Sequence, residues 1–397
     1  MTRIVKFSEC VEYMIKGPFG SDMKKSLYVP KGDNTYKVYV QGNAIQQDET
    51  LGDYYVSEDY FHDKLERFEV HSGDYIITCD GTLGKFIKLS DGIERGVISS
   101  SLLLLRLNEE LISDKYFELL WEHKMLATLA SQARNACLVH LPSAKAIGNL
   151  EVELPEMSEQ LAIAEKAFSV KRTITHREKQ QKLLEDLIKA RFVEMFGDVA
   201  TGTYKYDTCK LGDVAEVGSS HRVFTSEFVE EGIPFYRGTE IGELANGQKP
   251  SNPYYISKEH YDRLANDETK PKVGDLLMPS ICNKGQVWMV DTEEPFYYKD
   301  GRVLCISPDR KIFDPRYLQY FMRAKTEVEY PKMGSGSTFA EFKIFLLKDF
   351  DVLTPPKEVQ IKFSSFVEQV DKSKSVVQKS LGEAQLLLDS LMQNYFG

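Results

Sequence analysis

The sequence lacks the groupings on which metal binding and catalysis usually rest. Its six cysteines (Cys10, Cys79, Cys137, Cys209, Cys282 and Cys305) stand singly. With no C-x-x-C pair and no histidine at ligand spacing, they read as reduced thiols rather than a zinc site or a disulfide framework. No apolar run approaches the ~20 residues that span a bilayer, and Met1-Thr2-Arg3-Ile4-Val5-Lys6 offers no signal-peptide core. A cytoplasmic protein without membrane contact is expected. Nucleotide and hydrolase signatures are also missing: there is no H-E-x-x-H, G-x-S-x-G or G-x-G-x-x-G, and Gly81-Thr82-Leu83-Gly84-Lys85-Phe86 has the wrong spacing for a phosphate loop. Asn252-Pro253-Tyr254-Tyr255 lacks the second proline of the segment with which amino-methyltransferases grip a flipped base, and no glycine-rich cofactor loop accompanies it. Glu122-His123-Lys124 has half of a nuclease pattern, but it lies in a helical stretch with no acidic strand before it. Catalysis by this chain is not expected. An excess of positive charge is missing as well, with 50 Lys and Arg against 60 Asp and Glu. A net charge of -10 argues against polyanion binding by the whole surface, because Lys and Arg drive phosphate contact by releasing counterions. Local basic patches, or a partner that supplies the positive field, remain open.

What the chain does contain is a duplication. At 397 residues, 42% hydrophobic and 11% aromatic, it is long enough for roughly two or three domains with their own cores. The stretch Leu154 to Gly197 returns two hundred residues later as Thr354 to Gly397. Pro155 falls on Pro355, Gln160 on Gln360, and Phe196-Gly197 on Phe396-Gly397. Both copies carry an apolar heptad, the pattern of a helix that lies along another helix. One seam of the second copy reads Val370, Val377, Ala384, Leu391; its neighbour reads Val367, Lys374, Leu381, Leu388, Tyr395. The first copy reads Val170, Arg177, Leu184, Arg191 and Ala167, Ile174, Gln181, Ile188, Met195, with a more polar centre from Arg177 to Gln181.

The blocks between these helices also correspond. Residues 1–153 alternate short β-rich runs with Gly and Asp turns, then pass to helical spacing from about Ser113, a candidate N-cap. Gly73-Asp74 ahead of Tyr75-Ile76 is answered by Gly274-Asp275 ahead of Leu276-Leu277. Asp114-Lys115-Tyr116 is answered by Asp314-Pro315-Arg316-Tyr317, where Asp then Pro suits an N-cap and N1 pair. The expected class is therefore α+β: globular block, long helix, globular block, long helix. Candidate nucleic-acid contacts are Lys24 and Lys25 after the turn Gly17–Ser21, and Gln41 and Asn43 at a strand end, whose amides suit an adenine edge. Arg237, read as standing in the place of Gln41, suits guanine, with His221 and Arg222 nearby. Ser335 and Ser337 in Gly334–Thr338 form a donor-rich loop. Arg134 and Asn135 occupy its counterpart, and Lys85, Lys284 and Lys332 add possible phosphate contacts.

The doubled set, taken in order, resembles the specificity subunit of a type I restriction-modification system over essentially the full length. Its most specific parts are Leu154-Pro155 with Gln160 and Phe196-Gly197-Asp198, Pro355-Pro356 with Gln360 and Phe396-Gly397, and the two Gly-Asp openings. The resemblance implies two target-recognition domains, residues 1–153 and 199–353, each reading one half of a bipartite double-stranded DNA sequence. It implies two spacer helices, 154–198 and 354–397, packed as an antiparallel coiled coil. Ile174, Arg177, Gln181, Leu184, Ile188, Val370, Val377, Leu381 and Leu388 would then serve that pairing and the partners it recruits. Those partners would be two modification subunits, which bind S-adenosylmethionine and methylate adenine N6, and restriction subunits, which use ATP and Mg; this chain would bind no cofactor itself. A helix of 35 to 40 residues extends about 55 Å at ~1.5 Å per residue, enough to set two readers about one DNA turn, ~34 Å, apart. Two other classes compete: a self-contained methyltransferase or nuclease, and a protein-interaction scaffold.

Overall fold

In the computed structural model, which describes residues 2–132, 140–265, 269–333 and 340–397, each Gly-Asp pair opens a strand for a local reason. Gly73 and Gly274 sit at φ 86° and 84°, a left-handed backbone that a side chain resists. The aspartate that follows turns back on the same loop: Asp74 Oδ2 accepts from the His71 amide at 2.7 Å, and Asp275 Oδ2 accepts from the Lys272 amide at 2.8 Å. Both carboxylates are buried, so each needs a cation. Asp74 is gripped by Arg106 through Nε at 2.7 Å and Nη2 at 2.9 Å, whereas Arg310 gives Asp275 a single bond of 3.1 Å. Burial correspondingly pushes the Asp275 carboxyl above its ordinary range.

The chain forms two units, Met1–His176 with Ser380–Gly397, and Arg177–Lys379. In the first, an antiparallel sheet runs in the order Val11–Lys16, Leu102–Leu107, Tyr75–Thr78, Phe86–Lys88. A smaller sheet runs Tyr55–Ser57, Thr35–Tyr39, Gly96–Ile98, its last pair parallel. In the second, the matching orders are Ala215–Gly218, Val303–Pro308, Leu276–Pro279, Trp288–Met289, and Phe228–Val229, Tyr254–Ile256, Ile233–Tyr236, Tyr297–Tyr298, again ending in a parallel pair. The duplication is therefore one of topology as well as sequence. In each unit the long apolar strand is a wall between two cores. Leu103 and Leu105 join one cluster and Leu102 and Leu104 the other, as the period of two in a strand requires; Leu304 and Ile306 face away from Val303 and Cys305 in the same way.

The heptads form two continuous helices, Met157–Phe196 and Lys357–Phe396. Every residue of the four seams is buried or half-buried. In the first unit Ile163, Ala164 and Ala167 share a core with Leu388, Met392 and Phe396, with Ile174 at its margin. In the second, Ile188, Phe192 and Phe196 share one with Phe363, Val367 and Val370, with Leu184 at its margin. Within each unit the early part of one helix meets the late part of the other, so the pairing is antiparallel. Val377 and Leu388 are buried and Leu381 is half-buried. The polar centre is filled by polar contacts: Gln181 Nε2 donates to Gln378 Oε1 at 2.7 Å, Lys374 pairs with Glu185 at 3.3 Å, and Arg177 donates to Gln180 at 2.7 Å.

The first long helix ends where Gly197 takes φ 97° and pairs with Tyr204; a Cβ there would meet the Thr203 carbonyl at 2.0 Å. At its start lies a buried glutamine clamp. Gln160 Oε1 accepts from the Ser113 amide while Nε2 donates to the Leu111 and Pro155 carbonyls. Gln360 repeats this with Asp314, Ile312 and Pro355. Gln360→Leu leaves three main-chain groups without their partner, and at about 1–3 kcal/mol for a stranded buried group a loss of roughly 3 kcal/mol is expected; an unchanged urea midpoint would contradict it.

Asp314 caps its helix as expected, accepting from the Arg316 and Tyr317 amides at 3.1 Å ahead of Pro315. Ser113 holds the equivalent position but does not cap: its hydroxyl is buried without a hydrogen-bond partner among the described residues. The helix it precedes passes through a π-helical turn at Trp121–Met125 before resuming at Leu126–Gln132.

Candidate nucleic-acid interface

In both units the parallel strand pair leads directly into a short helix, and a side chain three residues on closes its first turn. In the first unit Asn43 Oδ1 accepts from the Val40 amide at 2.8 Å, and Asn43 Nδ2 donates to the Asp48 and Leu51 carbonyls. Asn43 is wholly buried, and these bonds occupy its amide, so it is a structural cap and cannot reach an adenine edge. Gln41, the first residue of the helix Gln41–Gln46, is half-buried and keeps that possibility.

In the second unit Glu240 does the work of Asn43, accepting from the Arg237 amide at 2.8 Å. Arg237 therefore stands in the place of Val40, one residue before the position of Gln41, and the expected Gln-for-Arg exchange is not one of equivalent sites. The main-chain bonds agree: the amide after the parallel strand reaches Tyr39 from Ser99 and Tyr236 from Lys299. Arg237 is held from two sides. Its Nε and Nη2 donate to the Glu240 carboxylate at 3.1 and 2.5 Å, and its guanidinium lies 4.3 Å from the centre of the Tyr254 ring. Burial alone would raise the Glu240 carboxyl, yet hydrogen bonds from Arg237 hold it below its ordinary range. Asn252-Pro253-Tyr254-Tyr255 is thereby a turn and strand whose Tyr254 supports this arginine.

Arg237 lines a cavity of about 440 Å³ together with Thr239, Ser280, Gln286, Lys299 and Arg302. Three cations thus come from two parts of the chain. Lys299 and Arg302 flank the hairpin turn after the parallel strand; the corresponding main-chain bonds place Ser99 and Ser101 there in the first unit. Each cation has a carboxylate partner: Glu240 for Arg237, Asp300 for Lys299 and Glu341 for Arg302.

The other expected contacts are spread over both units. Lys24, Lys25, Lys85 and Lys284 are exposed, Lys85 and Lys284 in the matching loops after Tyr75–Thr78 and Leu276–Pro279. His221 is exposed and its amide donates to the Tyr297 hydroxyl, Arg222 pairs with Asp300 at 3.2 Å, and Lys332 pairs with Glu329 at 3.1 Å. Arg134, Asn135, Ser335 and Ser337 lie outside the described residues. Glu122 pairs with Lys171, and Lys124 donates to the Gly397 carbonyl, so that stretch holds the first unit together. Among the described residues no group of three His, Cys, Asp or Glu side chains could hold a metal, and no helix is long and apolar enough to cross a membrane.

Residues 204–383 match the family model of the type I restriction modification DNA specificity domain. By that match the chain is similar to type I restriction-modification specificity subunits. The chain is 23% identical over 367 residues to the type I restriction enzyme MjaVIII specificity subunit of Methanocaldococcus jannaschii, covering 84% of the chain and 83% of that protein. A putative type I restriction enzyme specificity subunit of Haemophilus influenzae is 27% identical over 164 residues, 41% of the chain and 39% of that protein's length. Two solved structures share the fold over the whole chain. One, from work on complex assembly and conformational transition of the type I R-M system, has a TM-score of 0.61 at 18% identity and is covered to 97%; the other, a type I restriction-modification S subunit from M. genitalium, has 0.56 at 14% and is covered to 96%.

Sequence reasoning missed Glu240, Gln286, Lys299 and Arg302. The signal was present in the repeat, because Lys299 and Arg302 stand where Ser99 and Ser101 stand, but the hairpin in the second unit carries one more residue between them.

Proposed function

We propose that each unit reads one half of a bipartite, asymmetric DNA target, and that the paired long helices set the half-site spacing and recruit two modification subunits. What supports this is a doubled frame whose sheets, clamps and seams agree while the side chains around the strand-to-helix junction differ. A frame kept twice with its rim changed suits two readers of two different sequences. The helices, 40 residues each, extend about 60 Å at ~1.5 Å per residue, ample for one DNA turn of ~34 Å. The chain itself performs no chemistry and binds no cofactor. Methyl transfer from S-adenosylmethionine to adenine N6 belongs to the modification subunits, and ATP and Mg to restriction subunits, all in the cytoplasm. The acidic balance of the chain fits partners that close around the duplex and supply phosphate contacts.

The test is to sequence methylated adenines in DNA from cells carrying the chain with its modification partner. One asymmetric motif in two parts separated by a fixed gap is expected. Methylation by the purified chain alone, or a motif unaltered when residues 1–153 are exchanged for another recognition domain, would overturn the reading.

A further inference from the structure

Resting on that reading of the second unit as a DNA reader, we infer that the cavity at the start of the helix Gly238–Ala245 receives the major-groove edge of a guanine, with Arg237 as the reading side chain and Glu240 as its positioning residue. Charge balance first decides between a phosphate and a base. Phosphate binding relies on net positive field, but Arg237, Lys299 and Arg302 each already face a carboxylate. A neutral acceptor needs only aimed N–H donors. A guanidinium offers donors and no acceptor. Of the four base edges, guanine alone presents two adjacent acceptors, O6 and N7, whereas adenine pairs an acceptor with a donor and cytosine presents a donor.

Geometry makes Arg237 fit for this role. The Glu240 grip uses Nε and Nη2, and Nη2 also donates to the Asn252 carbonyl at 3.4 Å, which leaves the two hydrogens of Nη1 to face O6 and N7, and the Tyr254 ring fixes the guanidinium plane. Glu240 is only 1% exposed, so its own position is set by the fold. An arginine fixed in this way has little rotamer freedom left to lose on binding, which strengthens the contact. The first unit has Val40, Ser99 and Ser101 at these places. This contact is therefore confined to the half-site read by the second unit.

Two measurements on the complex of the full chain with its modification partner test this. Replacing each guanine of the methylated motif in turn by 7-deazaguanine removes N7 without altering the protein; about a tenfold loss of binding is expected at one guanine of one half-site, roughly what one hydrogen bond from a charged donor contributes. Arg237→Gln is expected to relax or change the sequenced motif at that same position and to leave the other half-site intact. Glu240→Gln retains an oxygen to accept from the Arg237 amide but loses the carboxylate, and partial relaxation there is expected. The inference is overturned by a second half-site without guanine, by deazaguanine having no effect, or by Arg237→Gln weakening all duplexes equally, which marks a phosphate contact. Failure of the underlying reading looks different: the unmodified complex would then yield no two-part motif at all.

Discussion

Phe196→Ala is expected to destabilise the second unit by about 3–5 kcal/mol, the range for truncating a large buried aromatic. Phe196 is wholly buried at the end of the first long helix. Its ring centre lies 4.7 Å from that of Tyr317, 5.0 Å from Phe192 and 5.5 Å from Phe363. These neighbours belong to three helices and hold one another, so they cannot collapse to fill the space, and the cavity cost stays high. Its repeat, Phe396, is 5% exposed and meets only Tyr116 and His123 among ring contacts of the described residues, at 5.6 and 6.5 Å. Phe396→Ala is expected to cost less, at the lower end of the same range. Denaturant unfolding of the two variants checks the order; equal losses would show that the second aromatic cluster adds nothing.

Arg106→Leu is expected to cost roughly 3 kcal/mol, because it strands a carboxylate rather than removing a contact. Asp74 is wholly buried, and its Oδ1 accepts from Arg106 alone among the described residues, at 2.7 Å. Breaking a buried pair by deleting one partner costs about 3–5 kcal/mol; the lower figure applies since the Arg106 side chain is 32% exposed. The double variant Asp74→Asn, Arg106→Leu should recover part of that loss, as the uncompensated charge is gone. A double variant no more stable than Arg106→Leu would locate the effect in packing by the arginine stem instead.

The fold was legible because its signals are local and doubled. A heptad, a Gly-Asp opening or an Asp-Pro cap is set by bonds within a few residues, and a second copy in the same order filters chance matches. The site was less legible, because it depends on register. The Phe-Tyr-Arg-Gly and Tyr-Val-Gln-Gly runs look equivalent as text, yet Asn43 and Glu240 as caps shift the pairing by one residue and put Arg237 opposite Val40. No spacing rule shows that Asn43 spends its amide on the chain, since a capping and a reading asparagine are written alike. The polar seam from Arg177 to Gln181 was ambiguous for a related reason: its complement, Gln378, lies nearly two hundred residues away.

The division of each long helix between the two units has a consequence for the order in which the protein is made. Residues 157–176 contribute to the first core, but Leu388, Met392 and Phe396, which close that core, are synthesised about two hundred residues later. The second unit, Arg177–Lys379, is continuous in sequence and meets no such delay. Domains made on the ribosome generally fold in the order they emerge, whereas here the unit begun first is finished last. Until then it presents the groove that Phe396 will fill, and the nascent chain must carry that apolar surface through the whole synthesis of its sibling.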